Sequence, residues 1–141
     1  MAKLSYLLDL SVIAELSRPN GNRRVFTLFQ QRQGTCAIGA PASYALLRGI
    51  TGLHDSARRA QLQAFCSELL LSGPTVLPFD QGAAVWLARS DIEQARMRRN
   101  WTVLDGQLAA IAASHDLTMV TRGAGTFAGL SDLRVEDWFR P

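Results

Sequence analysis

Apolar and polar positions alternate along the chain so that short apolar runs are followed by longer stretches of helical spacing. Leu4 to Leu8 is an apolar run of strand length, and the following SVIAELSR has helical composition, so the chain opens as strand, turn and helix. Pro19-Asn20-Gly21-Asn22 is a turn, after which Val25, Leu28 and Phe29 mark one face of a second helix ending near Gly34. Thr35 to Ile38 reads as a strand broken by Gly39-Ala40-Pro41. Ala42 to Ile50 then has helical spacing, with Gly49 and Gly52 as stop signals. A longer amphipathic helix runs from His54 to Leu71 with Leu62, Phe65, Cys66, Leu69 and Leu70 inward, and Gly73-Pro74 ends it. Val76 to Pro78 is at most a short strand. Gln81 to Arg99 forms the next helix, with Ala84, Val85, Ala88 and Ile92 inward and arginines at its end, where they complement the helix dipole.

The stretch from Val103 to Phe127 joins an acid, a small-residue helix, a strand at Leu117 to Thr121 and a glycine-rich loop. At about 100° per residue, Leu104, Leu108, Ala109 and Ala112 share one arc and Gly106, Gln107 and Ser114 lie opposite, which turns Asp105 toward the buried side. Thr102 and Asp105 have the spacing of a relaxed capping box, so capping is the ordinary role for this acid. Arg122-Gly123-Ala124-Gly125-Thr126 lacks the lysine and the length of a nucleotide-cradling loop. Leu133 to Val135 reads as a last strand, and Asp137-Trp138-Phe139 packs the terminus.

Alternation of strands with helices of ordinary length predicts a parallel α/β sheet with helices on both faces. Asp9 stands at the carboxyl end of the first strand, the edge where open α/β sheets bind ligands. Its ordinary role is again capping, shared with Ser11 as N-cap of a helix from Val12. If Asp9 and Asp105 converge at that edge, two carboxylates suit a hard divalent cation.

At 141 residues the chain is long enough for a substantial core without staples. Cys36 and Cys66 form no metal or redox motif and read as core thiols in a reducing compartment. The first apolar run is too short to span a membrane, so a cytoplasmic protein is expected. The net charge of +3 is mild, and Lys3 is the one lysine among 15 basic residues. Arginine suits bidentate phosphate contacts, so an RNA partner is permitted without being required.

The motifs resemble those of the PIN-domain ribonucleases, in particular VapC-type toxins and the plasmid-stability proteins grouped with them. YLLDLSVIAEL resembles the family's opening strand, and VLDGQLAAIAASHDLTMVTR its later signature helix and strand; LRVEDWF is similar to a common family ending. The resemblance implies one PIN-like domain over residues 1–141, a three-layer α/β/α fold with a central parallel sheet of four to five strands. It implies a toxin–antitoxin system toxin, a metal-dependent endoribonuclease with one weakly held Mg2+ or Mn2+ on Asp9 and Asp105. Ser11, Thr121 and Thr126 would support the site, and Arg48 and Arg122 would contact RNA phosphates. The implied partners are RNA, a cognate antitoxin and a second copy of the chain, with Trp86 and Phe26 as candidates for a dimer surface, although a core role is more common for either. The chain departs from the family pattern at Ala45, where glutamate is usual, at Gly123, where asparagine is usual, and at Thr126, often an acid. These losses imply weakened catalysis or, alternatively, an inactive subunit that acts by binding its partner.

Overall fold

The computed structural model describes residues 3–130 and 132–141. β1 (Tyr6–Leu8), β2 (Cys36–Gly39), β3 (Thr75–Leu77), β4 (Thr118–Val120) and β5 (Val135–Glu136) form one sheet in the order β3-β2-β1-β4-β5, and every neighbouring pair is parallel. The connecting helices are α1 (Leu10–Leu16), α2 (Arg23–Gln31), α3 (Ala40–Thr51), α4 (Ser56–Ser72), α5 (Gln81–Arg96) and α6 (Val103–Ser114). The result is the expected three-layer α/β/α fold. Its strands are short and covered on both sides, which is why they read as continuous apolar runs rather than alternating ones. Leu7 and Leu8 of the central strand are fully buried. Among the described residues no helix is long and apolar enough to cross a membrane.

Register sets the position of everything that follows. Leu8 pairs with Ile38 on one side and Val120 on the other, and the Asp9 N–H then donates to the Val120 carbonyl at 2.9 Å. The chain leaves the sheet at Asp9 with its ends level. At the close of α6, the Leu117 N–H bonds the Ala112 carbonyl at 2.8 Å before the chain enters β4, so α6 lies antiparallel to the strands. Its first turn, with Asp105, therefore lies toward the same carboxyl edge as Asp9. Gly39, at the end of β2, packs against Leu108 and Ile111 of that helix.

Helix faces differ from the sequence expectation in two places. α6 has no exposed face through its middle, because Gly106 and Leu108 to Ile111 are buried as well as Ala112. Gly106 was expected opposite the core, but it lies against Leu87 and the Trp101 indole, where a larger residue has no room. α5 turns Ala83, Trp86, Ser90 and Gln94 inward, while Val85 and Ile92 are 56% and 54% exposed. The Trp86 ring decides this orientation: it is buried, it lies 6.3 Å from the Trp101 ring, and its indole N–H donates to Asp132 at 2.7 Å. Trp86 is thus a core residue and not part of a dimer surface, whereas Phe26 is exposed. α4 begins at Ser56 behind an Asp55 cap and leaves His54 outside it.

Gly39→Ala is expected to destabilise the protein by about 1–3 kcal/mol through overpacking. A Cβ there would stand 2.7 Å from Leu108 and 3.1 Å from Ile111, both fully buried. Urea unfolding of the variant beside the parent protein measures the loss.

Candidate functional site

Asp9, not Ser11, caps α1, and the helix starts at Leu10. Asp9 Oδ1 accepts the Leu10 N–H at 2.7 Å, and Oδ2 accepts the hydroxyls of Ser11 at 3.0 Å and Thr121 at 2.7 Å. Each hydroxyl has one proton and each is also an acceptor: Ser11 from the Arg122 N–H at 3.2 Å, Thr121 from the Gly123 N–H at 3.0 Å. Both hydroxyl protons are therefore committed to the carboxylate. Asp9 is 8% exposed, and these donors meet the requirement that a buried acid be paired. β1, α1 and the exit of β4 are tied together at this one side chain.

A second buried acid extends the cluster. Glu15, one and a half turns along α1, shares the helix face of Val12 and Leu16. Its Oε2 accepts the Asn22 N–H at 2.6 Å and its Oε1 pairs with the Arg122 guanidinium at 3.2 Å. That guanidinium also lies 4.0 Å above the Phe139 ring, and the Asn22 side chain donates to the Phe139 carbonyl at 3.3 Å. The role of Glu15 is absent from the sequence expectation. The signal was present, since an acid at apolar spacing on an amphipathic helix must find a partner inside. Arg122, expected on a phosphate, is thus held from beneath by Glu15, with its side chain 55% exposed.

The other expected residues are distributed as follows. Asp105 forms the anticipated capping box: its N–H donates to Thr102 Oγ1 at 3.0 Å, and its Oδ2 accepts the Thr102 N–H at 3.4 Å. It is half-buried, and among the described residues no hydrogen bond joins it to the Asp9 cluster. Thr126 is exposed in a short 3-10 turn, Ala124–Phe127, with its N–H on the Gly123 carbonyl at 3.0 Å. A Cβ at Gly123 would stand an ordinary 3.5 Å from Thr126 Oγ1, so a β-carbon is tolerated there. Ala45 lines an apolar slot of about 310 Å³ with Leu10, Ala14, Leu46, Arg58 and Leu62, whereas Arg48 lies outside that slot on the exposed side of α3. Both cysteines are free and buried, as expected of core thiols, and burial pushes the Cys36 thiol up to about 11.

The chain is 29% identical over 124 residues to toxin FitB of Neisseria gonorrhoeae, covering 86% of this chain and 89% of that protein. The crystal structure of FitAcB from Neisseria gonorrhoeae superposes with a TM-score of 0.87 at 27% identity, covering 96% of this chain and 99% of its counterpart. In sequence and in fold the chain is similar to PIN-domain toxins of the VapC type. DNA-bound VapBC from Salmonella typhimurium shares this VapC-type fold at a TM-score of 0.81 and 23% identity, over 96% of this chain and 98% of the other. No family model matches the chain.

Among the described residues no group of three or more His, Cys, Asp or Glu side chains stands together as a metal cage. Asp9 and Asp105 remain at one sheet edge, and Asp105 Oδ1 has no hydrogen-bond partner among the described residues. An ion held at this edge by Asp9 and Asp105 would be carried largely by water, not enclosed by protein ligands. Replacing Thr121 with valine keeps the shape but strips one donor from Asp9 and leaves the Gly123 N–H without its acceptor. Thr121→Val is expected to cost about 1–3 kcal/mol in chemical denaturation. An unchanged midpoint would contradict the linkage described above.

Proposed function

We propose that this VapC-like protein is the toxin of a toxin–antitoxin pair and a weakened metal-dependent endoribonuclease. The carrying observation is the buried Asp9, oriented by Ser11 and Thr121, at the carboxyl end of the central strand of a chain similar to toxin FitB along most of its length. Asp9 and Asp105 would hold one Mg2+ or Mn2+. Such an ion activates water and neutralises charge developing on the phosphate. Ser11 and Thr121 keep the Asp9 carboxylate in a fixed orientation, while Arg122 offers positive charge beside it. The missing acids at Ala45 and Thr126 weaken both metal binding and turnover, since carboxylates of one site act as a unit.

The partner is an antitoxin protein, and the pair binds DNA, as DNA-bound VapBC and FitAB do. Homodimerisation belongs to the same reading, with the exposed Val85 and Ile92 on α5 and Tyr44 and Leu47 on α3 supplying apolar area. A role in plasmid stability and a cytoplasmic location follow from the same family. A second reading, an inactive subunit acting through its antitoxin, is favoured by the absence of a three-donor cluster among the described residues.

Calorimetric titration with Mn2+, run beside metal-dependent RNA cleavage, tests the proposal. The parent protein should bind weakly and cleave slowly, and Asp9→Asn with Asp105→Asn should abolish both. Ala45→Glu combined with Thr126→Asp should raise affinity and cleavage by about tenfold or more, the scale on which metal-site groups act. No Mn2+ binding and no cleavage by the parent would leave the inactive-subunit reading standing.

A further inference from the structure

Two guanidinium groups converge on the one buried carboxylate of Glu15. Arg122 lies 3.2 Å and Arg18 3.8 Å from the same Oε1, while Oε2 is occupied by the Asn22 N–H. The Glu15 side chain is 9% exposed against 61% for Arg18, so positive charge in excess of the acid faces solvent. The Arg18 contact is long and wet, the kind of pair that contributes little to stability, so Arg18 can move onto another anion at small cost.

Beyond Arg18 the Pro19-Asn20-Gly21 turn and α2 enclose an open groove of about 570 Å³. Arg23, Phe26 and Gln30 line it from one face of α2, at the i, i+3 and i+7 spacing that aligns side chains. Arg18 and Asn20 line the other wall, and no carboxylate is among its lining residues. Arg23 has no ion pair among the described residues, and Phe26 is 45% exposed in a wall that is otherwise largely polar.

We propose that this groove binds a single-stranded RNA segment, with Arg18 and Arg23 on phosphates and a base stacked on Phe26. Arginines beside an open aromatic ring supply what single-strand binders use: a cationic track for the backbone and a π-face that accepts any base. Asn20 and Gln30 add amide donors and acceptors within the groove. Arg122, whose N–H is anchored on Ser11, continues the track to Asp9. This reading rests on the ribonuclease proposal and names the path by which its substrate reaches the site. An acidic protein segment is the competing occupant.

Fluorescence anisotropy with a short labelled oligouridylate, in EDTA so that no cleavage occurs, reads binding alone. Arg18→Gln with Arg23→Gln should weaken binding by about tenfold and reduce the salt slope by about 1.4, the single-strand value for two phosphate contacts. Phe26→Ala should weaken it by about fivefold or more, the lower end for losing one stacked base, and Phe26→Tyr should retain it. Arg96→Gln with Arg98→Gln, at the far end of α5, should change neither. Circular dichroism melts confirm that each variant is folded. Equal losses in the remote pair, unchanged binding in the groove variants, or displacement of the RNA by an oligoglutamate peptide of matched charge would each overturn the groove. Cleavage assays on the same proteins separate the two claims. Groove-dependent binding without cleavage by the parent sinks the catalytic reading alone, whereas cleavage with undiminished binding in the groove variants sinks the groove alone.

Discussion

A carboxylate at the end of a buried strand has to be satisfied, and the architecture turns on how this is done for Asp9. A lone ionised acid at this depth would cost far more than any single contact returns. The solution draws donors from the helix that follows it and from the strand beside it. Because the Ser11 and Thr121 hydroxyls are themselves fixed by backbone N–H groups at 122 and 123, the acid determines the path of two connections at once. The same bonds that balance the charge also aim it, so stability and a potential ligand position are one arrangement.

Glu15 and Arg122 form a second tier below it. An ion pair with one partner buried and the other half in solvent stabilises little in net terms, because screening and desolvation offset the attraction. Its value here is geometric: Glu15 bridges the Asn22 amide and the arginine, and the arginine lies on the Phe139 ring. The turn after α1, the exit of β4 and the final aromatic segment consequently keep a common register. The Asp9 cluster rests on this tier through the backbone of Arg122.

Much of this was legible in the chain. Continuous apolar runs marked the strands, and Asp9 stood out because an apolar run ended in an acid. The Thr102 and Asp105 spacing gave the capping box. What hydropathy missed was orientation. Val85 and Ile92 carry the apolar stripe of α5, yet the helix is turned by Trp86, whose ring needs burial and whose N–H needs Asp132; no periodicity encodes that partner across 46 residues. α6 defeated the arc argument differently, because a helix of small residues covered on nearly every side has no polar face to find. The sequence leaves the cap shared between Asp9 and Ser11 because serine and aspartate are equally good caps, and only the close Leu10 N–H contact chooses between them. Glu15 does not announce its role because one partner, Asn22, lies across a turn and the other, Arg122, is distant in sequence. Whether Asp9 and Asp105 act together is a matter of the space between a strand end and a helix start, which residue spacing does not contain.

The central strand is made well before one of its two neighbours. β1 finds β2 within some thirty residues, but its other neighbour, β4, comes last but one, and the Asp9–Thr121 bond spans 112 residues. Contacts of such separation form late, after the intervening chain has closed its loop. While the intervening residues are translated the polypeptide therefore carries Asp9 with Leu10 and Ser11 but without its opposite wall. The site comes into being only when the ribosome has released β4, so a chain cut short before that point inherits the acid and none of the arrangement.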